Sequence, residues 1–273
     1  MRRTTDLKLH LIRPTAILIL ISLIGCGQIP NPLSINHPEE YNRGLRRLQA
    51  RDIPGSQAAF DLAISLHRED LNLYGQIANE YIQADQPALA AKYAEMGLAT
   101  VPTAPIVERC ALLSIASAAQ LDAGQHPKAL ELAYAAYNLQ PDNPLVQNGL
   151  AYTIAETTEP NDPIAPNNLV KAEGLLISAL DKLKKIDIAP DQIGVVLDSF
   201  GWVHYKMHRY KDAILELGRA NDLAPGQAEI TYHLGMAYIG AGMTAEANNT
   251  LKRAINIKPG FRAAKLALDS LGQ

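Results

Sequence analysis

Small and large apolar residues recur at a fixed interval along the C-terminal half of this chain. From Ala228 to Pro259, Leu234-Gly235, Tyr238, Gly242, Ala247, Leu251, Ala254 and Pro259 occupy positions 7, 8, 11, 15, 20, 24, 27 and 32 of a unit. The unit before it starts 34 residues earlier, at Gly194, and carries Phe200-Gly201, Ala213, Leu217, Ala220 and Pro225 in the same register. Spacings of three and four on either side of a central break predict two helices per unit, each with one apolar face. Small residues at positions 8, 20 and 27 let the two helices approach closely. Larger ones at 7, 11 and 24 fill the space between them, and proline at 32 stops the second helix. One such hairpin cannot bury its apolar face alone, so neighbouring units must stack.

Upstream the register persists with changes. A unit at 144–193 has Leu150-Ala151 at positions 7 and 8, then a Pro/Asn-rich stretch, Thr157 to Asn168, read as an inserted loop. Its second helix is expected near Leu169, with Ala172, Leu176 and Ala179 on one face. A spacer, Ile186 to Ile193, follows and extends the unit to 50 residues. A unit at 110–143 carries Gly124, Ala129, Ala133, Ala136 and Pro141, and one at 71–104 carries Ala78, Tyr81, Ala90, Ala94 and Pro102. Residues 105–109 read as a linker. The first unit, 37–70, has Gly44, Phe60 and Ala63, but Ser56 and Arg68 stand where alanine and proline are expected. Phe261 to Leu271 predicts a final helix, with Arg262, Lys265 and Asp269 solvating an exposed end as a cap at 262–273.

This register resembles that of the tetratricopeptide repeat family. The resemblance covers residues 37–271. The stretch LDSFGWVHYKMHRYKDAILELGRA is similar to many bacterial members, although His204 stands where tyrosine is usual. It implies an all-α superhelical solenoid of antiparallel helix pairs, about six repeats over 37–273, closed by a C-terminal capping helix. In that family the first helices line a concave groove, with repeat positions 2, 5, 9, 12 and 13 facing it. Carried onto this chain, the implied partner-binding groove is Asn148, Tyr152, Asp198, Trp202, Tyr205, Lys206, Tyr232, Met236 and Ile239. The equivalent positions upstream are Asn72, Asn79, Ile82 and Gln83, then Ser114, Ala118, Leu121 and Asp122. Tyr152, Trp202 and Met236 share position 9 and predict a ladder able to dock an extended peptide or a partner helix. The alternative for the ladder is packing between repeats. Members that clamp a terminal carboxylate use several basic groove residues, and Lys206 alone does not make that clamp.

The amino terminus reads as an address. Arg2, Arg3, Lys8 and Arg13 precede an uncharged run of ten residues, Thr15 to Ile24. That run is too short to span a bilayer, which takes about 20 residues, and fits a signal peptide over 1–25. It ends in Leu23-Ile24-Gly25-Cys26, which resembles the bacterial lipobox. The resemblance implies cleavage before Cys26 and acylation of its thiol and new amine. Each buried methylene would contribute about 0.8 kcal/mol to membrane anchoring. Gly27 in place of aspartate implies outer-membrane sorting in a Gram-negative host, facing the periplasm. Residues 26–36, with Pro30 and Pro32, read as the lipidated cysteine and an extended tether.

Composition narrows the partners. The chain is 48% apolar but only 5% aromatic, which suits closely packed Ala/Leu helices. Its net charge is −3. Removing residues 1–25 takes away four basic residues and Asp6, leaving 21 basic and 27 acidic residues, a net of −6. A nucleic-acid or anionic-lipid partner is not expected from that balance.

Catalytic signals are weak and no enzyme activity, cofactor or metal is expected. There is no phosphate-binding glycine loop and no nucleophile elbow. His204 and His208 at i, i+4 read as partly exposed helix residues, Ser199 beside Asp198 as adjacency only, and Asp61, Glu69 and Asp70 as solvated charge. Cys110, the only cysteine besides Cys26, reads as a small packing residue. The function these features imply is a membrane-anchored scaffold that binds a protein or peptide in the cell envelope, in pilus assembly, secretion, polysaccharide export or outer-membrane assembly. The alternatives are an enzyme or accessory subunit of envelope metabolism that uses the groove and the 157–168 loop, and a soluble cytoplasmic scaffold.

Overall fold

The computed structural model describes residues 38–159 and 162–272. The leader, Cys26 and the 27–36 tether lie outside the described residues, as do positions 160 and 161 of the inserted loop. The described residues form thirteen α-helices and no strand: α1 Glu39–Gln49, α2 Ile53–Leu66, α3 Leu71–Gln83, α4 Pro87–Thr100, α5 Ile106–Asp122, α6 His126–Leu139, α7 Pro144–Thr157, α8 Ala165–Leu183, α9 Pro190–Lys206, α10 Tyr210–Leu223, α11 Ala228–Gly240, α12 Thr244–Ile257 and α13 Arg262–Ser270. They pack as successive hairpins, α1 with α2 through α11 with α12, and α13 closes the last pair. First helices also touch first helices: α3 meets α5, α5 meets α7, α7 meets α9 and α9 meets α11. These contacts define one continuous face.

The short turns inside the hairpins share one backbone solution. Arg51, Asp85, Gly124, His208 and Gly242, each at position 15, have φ between 58° and 83°. A left-handed residue there reverses the chain in few residues. Glycine takes this conformation freely, whereas Arg51, Asp85 and His208 take it at a cost of roughly 1–2 kcal/mol each. Helix starts are fixed by proline in the first turn of α2, α4, α6, α7, α8 and α9. Asp52, Asp70 and Asn143 also accept backbone N–H bonds as N-caps. Asp70 is therefore a cap rather than merely solvated charge.

Close approach is visible wherever glycine occupies position 8. A Cβ on Gly44 would lie 2.5 Å from the Phe60 ring, one on Gly201 2.6 Å from Leu217 Cγ, and one on Gly235 2.7 Å from Leu251 Cδ2. Each obstacle stands at position 24 of the same repeat. Position 20 residues Ala90, Ala129, Ala213 and Ala247 are fully buried. Ser56, in the same place, is buried too, because its hydroxyl lies 2.9 Å from that of Tyr81. At position 8, Ser117 Oγ donates to the carbonyl of Ala129, 2.8 Å away.

Three local expectations change. Residues 106–109, read as linker, form the first turn of α5 behind Pro105. Residues 190–193, read as spacer, open α9. The second helix of the extended hairpin begins at Ala165 rather than near Leu169, because Pro166 is favourable in a first turn. α8 thereby reaches 19 residues, yet Ala172, Leu176 and Ala179 still meet the core fully buried. Cys110 is buried, its Sγ 3.5 Å from the Ala136 carbonyl. No helix among the described residues is long and apolar enough to cross a membrane.

Candidate partner-binding groove

The first helices α7, α9 and α11 carry the implied groove residues at helical spacing. Asn148, Tyr152 and Glu156 line one stripe of α7; Asp198, Trp202, Tyr205 and Lys206 line α9; Tyr232, Met236 and Ile239 line α11. The structure brings most of them together. Trp202 is the hub. Its indole N–H donates to Glu156 Oε1 at 2.6 Å. One face stacks on Tyr205, with centroids 4.7 Å apart and planes 12° apart. It also stacks on His233, at 4.2 Å and 23°. His233 Nδ1 in turn meets both Asp198 oxygens, at 2.9 and 3.0 Å. Tyr232 packs against Phe261 at 5.4 Å.

Burial divides these residues in two. Asn148, Tyr152, Asp198, Trp202, Tyr232 and Met236 are all at most 6% exposed. The position-9 ladder is thus covered, with Tyr152, Trp202, Tyr232 and Met236 joined in one apolar cluster. Tyr205, Lys206 and Ile239 remain half-buried and form its accessible edge.

The electrostatics are those of a low-dielectric strip. Burial raises the Tyr152 phenol well above its ordinary value, and the carboxylates of Glu156, Asp198 and Asp122 add to the effect. Burial also raises Tyr205, to about 12, and Tyr232 further still. Glu156 goes the other way. Burial pushes its carboxyl up, but Lys206, the Trp202 N–H and His233 together outweigh that and hold it below its ordinary value. The Lys206 ammonium lies 3.3 Å from Glu156 Oε1 and 5.6 Å over the Trp202 ring.

Two members of this site escaped the sequence. Glu156 stands at position 13, the place of Lys206, and the register alone would have found it. His233, at position 6, carries no groove signal, and only the packing of α11 on α9 reveals its role. His204 and His208 do not share a helix face. His204 is buried, 3.2 Å from Glu173 and packed against the Phe200 ring at a tilt of 49°, which accounts for histidine where tyrosine is usual. His208 lies past the helix end and contacts Tyr210.

Comparison with known proteins bears on the fold. Residues 204–269 match the family described as Tetratricopeptide repeat. No curated protein sequence matches the chain. Among solved structures, a tetratricopeptide repeat protein from Parabacteroides merdae superposes with a TM-score of 0.65 at 12% identity, covering 90% of this chain and 87% of that one. The thermophilic protein TTC0263 of Thermus thermophilus gives 0.61 at 17%, covering 74% and 98%. The APC/C hetero-tetramer Cut9–Hcn1 gives 0.61 at 16%, covering 94% of this chain but 46% of that one, so this chain spans less than half that relative's length. The fold is a tetratricopeptide-type solenoid. These likenesses concern the fold, and the groove has to be judged on its own residues.

Proposed function

We propose that the chain is a non-enzymatic scaffold whose concave face recruits a protein or peptide partner. The observation that carries this reading is the half-exposed edge of Tyr205, Lys206 and Ile239 over a rigid Trp202 stack. Aromatic residues on a preorganised support bury large area at little entropic cost, the usual basis of a binding hot spot. A photocrosslinking residue at position 205 is expected to capture one protein from membrane fractions, and the same residue at Leu215, exposed on α10, is not. Equal capture at both positions, or none at 205, overturns the reading.

The same proposal places the scaffold in a bacterial cell envelope, at the outer membrane and facing the periplasm, held by acylated Cys26. Its support is the basic segment, the short apolar run and the Leu23–Cys26 sequence. Labelled palmitate is expected to enter the protein and to be lost in Cys26→Ser, with globomycin blocking maturation. Unchanged labelling in that variant removes the anchor from the proposal.

A further inference from the structure

Within that strip, Glu156 is an unusual residue in an unusual place. It is the penultimate residue of α7, and Asp122 is the last of α5. The first helices run in one direction, so their C-terminal ends gather along one edge of the groove. A helix C-terminus carries partial negative charge, and carboxylates there are on the unfavourable end. Among the groove positions at this edge, Lys206 at the end of α9 is the complementary charge. Local choices that work against the fold concentrate at functional sites.

The hydrogen bonding of Glu156 is one-sided. Trp202 and Lys206 both address Oε1. Oε2, which no described residue bonds, is open to solvent at the groove edge, while the side chain as a whole is 12% exposed. On the same stripe of α7, two turns back, Asn148 is fully buried, and neither Oδ1 nor Nδ2 has a partner. Lys206, against Oε1 and over the Trp202 ring, marks the place as favourable to positive charge.

We propose that the concave edge between α5, α7 and α9 receives a Lys or Arg side chain from a partner protein, with Glu156 Oε2 as its acceptor and the Trp202–Tyr205 stack as its apolar wall. This rests on the groove reading above. A cation there completes the carboxylate, offsets the helix ends and lays its methylene stem along Tyr205. An anionic partner would face Glu156 and the same helix ends and is disfavoured.

The test uses the full chain and an array of short synthetic peptides of random composition, capped at both ends. Bound peptides are expected to be enriched in Lys or Arg, with binding that weakens as salt is raised. Glu156→Gln keeps the acceptor for the Trp202 N–H and is expected to weaken those peptides about tenfold or more. Trp202, the only tryptophan, reports through its emission that the variant is folded. Binding lost in Tyr205→Ala but retained in Glu156→Gln overturns the cation claim and leaves the groove reading standing. Binding indifferent to both variants overturns both, as does the selection of peptides without a cationic residue for the claim itself.

Discussion

Gly201→Val is expected to destabilise the protein by about 2–3 kcal/mol, an overpacking cost set by a position with no room. The added Cβ alone would sit 2.6 Å from Leu217 Cγ and 3.1 Å from both the Ala213 carbonyl and the Leu217 nitrogen. A side chain can rotate away, but two of the three obstacles are backbone, so α9 and α10 must separate. Separation also exposes Ala213, Leu217 and Ala220, all fully buried now. Replacing glycine inside a helix normally gains up to about 1 kcal/mol, which makes the expected loss a net figure. Gly174 and Gly218 supply the control. Both are inside helices, and a Cβ on either meets nothing within 4 Å. Alanine there is expected to stabilise, so adding a side chain to a helical glycine has opposite signs where the Cβ is crowded and where it is free. Urea unfolding followed by Trp202 emission measures both. Because stacked repeats couple mainly to their neighbours, hydrogen exchange in Gly201→Val is expected to rise in α9 to α13 while α1 to α6 keep their protection. Wild-type stability in that variant would remove the steric basis assigned to position 8.

That steric rule is also why the fold class was legible from sequence. A residue that must be small and a residue that fills the gap stand sixteen positions apart, at 44 and 60, 201 and 217, and 235 and 251. Such a constraint lies within one hairpin and needs no knowledge of the rest of the chain. The left-handed turn was only half visible. Glycine announces it at 124 and 242, but Arg51, Asp85 and His208 take the same backbone under compulsion from the packed helices on either side.

The site was harder to read because its character depends on contacts between hairpins. The register put Tyr152, Trp202 and Met236 on the concave face, and no local pattern tells whether that face is open or covered. His233, 31 residues from Trp202 in sequence, is stacked on the indole and helps decide the matter. Asp198 looked available to a partner, yet its carboxylate is consumed by the same imidazole. Ser56 shows the opposite case. It departs from the small-apolar rule but is buried without loss, because Tyr81 from the next repeat supplies a hydroxyl at the right height.

Asp198→Ala is expected to cost about 3–5 kcal/mol, the range for removing one partner of a buried ionisable pair. Both groups are essentially inaccessible, at 1% and 0% exposure of their side chains. His233 Nδ1 donates to the carboxylate, while Nε2 already has no partner. Without Asp198 the ring is left with neither nitrogen satisfied, between Trp202 and the neighbouring helix. Asp198→Asn should cost markedly less, since an amide oxygen can still accept from Nδ1. The double change Asp198→Leu with His233→Leu should recover much of the loss, because apolar residues of similar volume replace a buried polar pair at little net cost. A double-mutant cycle separates the pair from the packing of each residue. If the losses of the two single variants simply add in the double, the hydrogen bond contributes nothing and burial alone holds α11 to α9. If the double recovers, the pair acts as a registry element. It then orients the imidazole against Trp202, and through that stack sets where Tyr205 and Glu156 stand along the groove. Stability and groove geometry would in that case respond differently: the double variant would regain its melting temperature while its Trp202 emission stayed shifted.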